Sequence, residues 1–274
     1  MPLILKKVET ARGPRWIGEA FRLYARRPLS FTGMSLAFYV AAMLVRELPP
    51  VGALLPLMAL PLLSLGFMVA SQSALLDGPV RPLQFIEPLR GDKLKRRALL
   101  ILCGMYGAAV VLIMGLADAI SGHAWTRLQA LLAKGETAQP QIEALLSEPS
   151  LGLALLFGGT LGTMLSVAYW HAPALVHWGG QGVKQALFSS TLAVWRSKGA
   201  ITMFTLAWLG LMLLFGMLAS IAMQLLGLQA WAGVLSLPSA LVFSAVFYIS
   251  VLFTFNDSFG GAGPATAPVP PAPA

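Results

Sequence analysis

Long apolar runs divided by clusters of arginine and lysine mark this chain as an all-α, polytopic membrane protein. Of its 274 residues, 57% are hydrophobic and only 11% are charged, and the mean hydropathy is +0.75, a combination that soluble globular domains do not show. Six runs approach or exceed the length needed to cross a hydrocarbon core of about 30 Å. They pair into three hairpins, and an amphipathic basic stretch precedes the first and the fifth. The expected unit is one six-helix transmembrane domain, residues 1–259, followed by a disordered Pro/Ala-rich tail, residues 260–274.

The first amphipathic stretch, residues 14–27, places Arg15, Glu19, Arg22 and Arg26 at helical spacing on one face and Trp16, Ile17, Ala20, Phe21, Leu23 and Tyr24 on the other. Followed at once by a span, such a helix is expected to lie in the membrane interface, with its arginines on lipid headgroups and its aromatic residues at the acyl boundary. A weaker copy precedes the fifth span, from about residue 181 to 198: aligning Tyr24 with Trp195 sets Ile17 on Phe188, Phe21 on Leu192 and Arg27 on Lys198. Residues 77–97 carry a third, degenerate version rich in cations, with Phe85, Ile86 and Leu89 interspersed.

The spans are expected at residues 29–45, 51–76, 98–121, 151–176, 199–226 and 234–255. The first is short, and Pro49 and Pro50 stop it, because proline offers no amide donor and restrains its predecessor. Pro56 and Pro61 should kink the second, whose other half spaces Gly66, Ala70 and Ala74 four apart, a small-residue face that admits a close helix neighbour. The fourth offers Gly158, Gly162 and Ser166 in the same way. Between spans three and four, residues 122–150 read as two short amphipathic helices around a turn at 135–140; they serve as an external lid or partner surface, or as a solvated connector.

Charge sets the orientation. With a cytoplasmic N-terminus, sixteen of the nineteen Lys and Arg residues fall inside and only Arg46, Arg127 and Lys134 fall outside, as the positive-inside rule requires for six spans with both termini cytoplasmic. The same rule accounts for the net charge of +8 and the pI near 10.0 without nucleic acid, which is not an expected partner. The lipid bilayer is the expected partner, with acidic phospholipid at Arg15, Trp16, Arg22, Arg26, Arg27, Arg196 and Lys198. A membrane-protein partner or a second copy would use the small-residue faces. The bacterial inner membrane is the expected location, and no cleaved signal peptide is expected.

Motifs for chemistry are missing. The single cysteine, Cys103, excludes an intrachain disulfide and a Cys-rich zinc site, and no metalloprotease helix, nucleophile elbow or phosphate loop occurs. No cofactor is expected, and no enzymatic role. No ionisable residue falls at a span's midpoint, where proton relays and ion paths place them; Asp118 lies at the outer end of span three and reads as a snorkelling carboxylate. His171 and His177, beside Trp170 and Trp178, fit an interfacial aromatic belt or a lipid-headgroup site. Asn256-Asp257-Ser258 fits a glycosylation triplet but belongs to the cytoplasmic side.

In WIGEAFRLYARRPLSFTG (16–33), LPLLSLGFMVASQSAL (60–75) and RPLQFIEPLRGDKLKRR (81–97), the chain resembles a family of uncharacterised six-span bacterial membrane proteins found mainly in betaproteobacteria. The likeness covers about residues 12–258. More distantly it resembles the membrane domain attached to some glycerophosphoryl diester phosphodiesterases, in which an amphipathic basic helix likewise precedes a span. The chain lacks that family's catalytic domain and any acidic metal-binding cluster, so the activity does not carry over. Two functions remain open: a scaffold, assembly factor or accessory subunit of the inner membrane, and a transporter or lipid-handling protein.

Overall fold

The computed structural model describes residues 4–49, 52–132, 139–228 and 232–260, and among these every regular element is helical. Helix α1 (Arg12–Arg26) is followed after a single break residue by α2 (Pro28–Arg46). Then come α3 (Leu54–Met58), α4 (Leu60–Leu75) and α5 (Lys93–Ile120). Helices α6 (Ala124–Leu132) and α7 (Gln139–Leu146) connect α5 to α8 (Pro149–Tyr169). The chain closes with α9 (Ala172–His177), α10 (Val183–Arg196), α11 (Lys198–Leu226) and α12 (Ala232–Phe259).

Five stretches have the length and hydropathy of a membrane span: Pro28–Arg46, Lys93–Ile120, Pro149–His177, Lys198–Leu226 and Ser236–Phe259. The run at 51–76, expected as one kinked span, is instead two helices. The chain breaks at Ala59, since Pro61, the second residue of α4, has no N–H to continue the ladder. Helix α4 alone, at 16 residues, is about 24 Å long. A second break lies inside the expected fourth span at Trp170 and His171, where Pro173 restarts the chain as α9. Elsewhere the helices start one to five residues before the expected boundaries, furthest at α5, where the Asp92 carboxylate accepts the Leu94 amide and caps it. The degenerate element at 77–97 is not an amphipathic helix but two short 3-10 turns, Pro82–Phe85 and Glu87–Leu89.

Several contacts gather the basic segments at one end of the bundle. The Arg27 guanidinium donates to the carbonyls of Gly78 and of Asp77 (3.1 Å), just past α4. Lys95 donates to the His177 carbonyl at 3.0 Å, joining the start of α5 to the end of α9. The Val8 amide donates to Ser197 between α10 and α11 (3.2 Å), and that of Lys6 to the Ser258 carbonyl (2.8 Å). Helices α6 and α7 cover the opposite end, packing Leu128 and Leu145 on Leu151. The Asp118 carboxylate, expected to snorkel, accepts the Thr126 amide at 3.0 Å and so caps the first turn of α6.

Helix α12 is the central span, 39% of its apolar window buried, and α11 the most peripheral, at 6%. The reason is α1, which packs against both α11 and α12 and keeps their backbones apart. The two spans meet through rings instead, Phe204 and Trp208 of α11 lying 6.2 and 5.8 Å from Phe247 of α12.

Candidate functional site

The strongest polar constellation ties α1 to the end of α12. Asp257 Oδ2 accepts from Arg12 Nε at 2.7 Å and from Trp16 Nε1 at 2.8 Å, while Arg12 Nη1 donates to Glu19 Oε1 at 2.8 Å. Both carboxylates raise the Arg12 guanidinium pKa further, the hydrogen bond to Asp257 most. Trp16 therefore departs from its expected interfacial place: it is 0% exposed, its ring 5.9 Å from Phe204. Ile17, Ala20 and Leu23 turn into the protein with it rather than toward acyl chains, while Phe21 and Tyr24 are half-buried. Gly13 permits this, because a Cβ there would run into the Ala200 carbonyl oxygen on α11. Arg15, Arg22 and Arg26 remain exposed, whereas Arg27, expected on a headgroup, is occupied by the backbone carbonyls after α4.

Helix α10, the weaker copy, has the opposite disposition. Ala186, Ser190, Ala193 and Val194 are buried, leaving Phe188 and Trp195, each 69% exposed, beside exposed Lys184, Arg196 and Lys198. Lys198 Nζ sits 5.3 Å from the Trp195 ring centroid, within cation–π range. An apolar face flanked by cations and, among the described residues, covered by no other element is the arrangement that interfacial helices use.

Behind α10, a buried polar node fixes the break between α8 and α9. Thr254 Oγ1 donates to the Val251 carbonyl (2.8 Å) and accepts from Trp170 Nε1 (3.1 Å). His171 Nε2 lies 3.0 Å from the same Oγ1. Ser190 accepts the His171 amide at 2.9 Å and donates to the Val167 carbonyl at 3.2 Å. His171, expected in an interfacial belt, is thus a buried strut.

The two small-residue faces differ. Gly66, Ala70 and Ala74 are buried, and Phe85 of the first 3-10 turn sits on Gly66 where a Cβ would collide with its ring. On α8, Gly158 approaches Ala117 of α5, but a Cβ on Gly162 would meet nothing and Ser166 is exposed. Among the described residues that face has no close neighbour around Gly162.

Away from the basic end, α11 and α12 diverge around a cleft of about 1060 Å³. Phe243, Phe247, Phe215 and Met212 line it together with Ser244 and Tyr248, and Ser220, Gln224, Ser236 and Ser239 line it farther from the basic end. Among the described residues no group of three His, Cys, Asp or Glu could hold a metal ion.

One comparison bears on this architecture. Over 270 residues, 97% of each chain, the sequence is 31% identical to a protein of Burkholderia thailandensis named a "probable inner membrane protein". The chain belongs to that family of inner-membrane proteins. No family model matches it, and no solved structure does. The site of this inner-membrane family member therefore rests on its own geometry. Sequence reasoning missed Arg12 and Asp257 as partners and Thr254 as a hub. One signal was available: Asp257 is the only acidic residue between Glu148 and the C-terminus, and a lone carboxylate ending an apolar helix asks for a partner.

Proposed function

We propose that this protein is a non-enzymatic scaffold or accessory subunit of the bacterial inner membrane, crossing it six times with both termini in the cytoplasm and gripping acidic phospholipid at its basic end. The observation that carries the reading is the uncovered aromatic and basic face of α10, Phe188 and Trp195 beside Lys184, Arg196 and Lys198. Each cation near an anionic leaflet contributes about 1 kcal/mol. Three polar groups support the non-enzymatic part, because Asp257, Thr254 and Ser190 are engaged in holding helices together. The open stretch of α8 around Gly162 is where a partner span would lie. The likeness to phosphodiesterase membrane domains is confined to the pattern of a basic helix leading into a span, and it brings no activity.

A second reading, lipid handling, is favoured by the cleft between α11 and α12. Its lining is uncharged and rich in aromatic side chains, which suits a lipidic molecule better than an ion. Purification in native lipid discs, with mass spectrometry of the associated proteins and lipids, separates the two. A stoichiometric membrane-protein partner together with enriched acidic phospholipid is expected. A partner-free protein without acidic-lipid enrichment would overturn the scaffold reading.

A further inference from the structure

The position and the uncharged lining of the α11–α12 cleft specify an occupant. The residues from Ser236 at the mouth to Phe247 at the floor rise about 16 Å along α12, half of a hydrocarbon core of about 30 Å. The cleft therefore spans one leaflet, on the side away from the basic end. Its volume of about 1060 Å³ is at the top of the range of about 300–1,000 Å³ typical of small-molecule sites. Toward the basic end the lining is mainly aromatic, Phe215, Phe243 and Phe247, with Ser244 and Tyr248 among them. At the mouth, Ser220, Ser236 and Gln224 bring hydroxyl and amide groups, and none of the lining residues is charged.

We propose that this cleft binds one net-neutral membrane amphiphile, its headgroup hydrogen-bonded at the serine and glutamine mouth and its acyl chain laid against Phe215, Phe243 and Phe247. An acidic lipid is disfavoured there, because an anionic headgroup would find no countercharge among the lining residues. The acidic-lipid surface is at the other end of the molecule, on α10, so this stands or fails independently of the scaffold reading, while it rests on and deepens the lipid-handling one. Residue 260 lies at the basic end, away from the cleft.

Gly216 makes the test possible, since it lines the cleft and a Cβ there would meet nothing. Gly210 is equally open on α11 but does not line the cleft, so it serves as the control. The full-length protein is reconstituted in phosphatidylcholine vesicles with photoactivatable diacylglycerol or photoactivatable phosphatidylglycerol, and the labelled peptides are mapped. Diacylglycerol is expected to label the peptides containing Phe215 and Phe243, with at least a ten-fold loss in Gly216→Trp and retention in Gly210→Trp. Ala240→Phe fills the cleft from α12 and gives the same reading should Gly216→Trp fail to fold. Equal labelling of the filled and control variants would mean ordinary boundary lipid and overturn the proposal. So would phosphatidylglycerol labelling as strong as that of diacylglycerol, or a benzophenone side chain at Phe243 that joins to a protein, a second copy included.

Discussion

Asp257 combines two roles that are usually separate. Its Oδ2 takes both the Arg12 guanidinium and the Trp16 indole, so one carboxylate orients the first helix and satisfies the indole N–H of a fully buried tryptophan. Removing it leaves that donor without a partner and Arg12 paired only with Glu19. Hydrogen bonds to charged groups contribute about 1.5–3 kcal/mol, and the upper end is discounted because the Arg12 and Asp257 side chains are 28% and 27% exposed. Asp257→Ala is expected to destabilise by about 1.5–2 kcal/mol, lowering the midpoint of thermal unfolding by several degrees. Cys103, buried and the only thiol, reports the transition when a thiol-reactive dye follows its exposure in detergent. An unchanged midpoint would mean that α1 is held by apolar packing alone.

Between the two amphipathic helices the deciding difference is what each meets. Helix α1 has Gly13 and Ala20 on its inner face, which lets α11 and α12 come close enough to take its aromatic residues. Helix α10 presents Ala186, Ser190 and Ala193 to the protein, so its small residues go in and its large ones stay out. Sequence periodicity finds an amphipathic face but does not say whether protein or lipid covers it, which is why α1 and α10 read as copies of one device. The same reasoning explains what was legible. Long apolar runs locate the helices, because in hydrocarbon the backbone must satisfy itself locally. Breaks at Ala59 and Trp170 depend on prolines whose effect, kink or restart, is decided by neighbours. The contrast gives a paired prediction. Trp16→Ser should cost about 3–5 kcal/mol, as for other buried aromatic truncations, whereas Phe188→Ser with Trp195→Ser should change stability in detergent by no more than about 0.5 kcal/mol yet weaken binding to phosphatidylglycerol discs. Comparable destabilisation by both would mean that α10 packs against protein.

For the molecule as a whole, the placement of α4 decides the number of crossings. Helix α4 is too short to rank with the five spans, but Arg27 at the start of α2 holds the carbonyls of Asp77 and Gly78 at the end of α4. The chain that leaves the basic end through α2 is therefore back at that end after α4, and α3 and α4 together make the return. If α2 crosses the bilayer, so do they, with the missing length supplied by α3 and by local thinning of the bilayer. An even number of crossings then places residues 9 and 91 on the same side and residue 147 on the other. In a Cys103→Ala background, an impermeant maleimide is expected to label Ser147→Cys in intact spheroplasts and to reach Glu9→Cys and Gly91→Cys only after lysis. Labelling of Gly91→Cys in intact spheroplasts with Glu9→Cys protected would make α3 and α4 a re-entrant pair and leave five crossings. Labelling of all but Ser147→Cys would keep six crossings and reverse the orientation that the cations dictate.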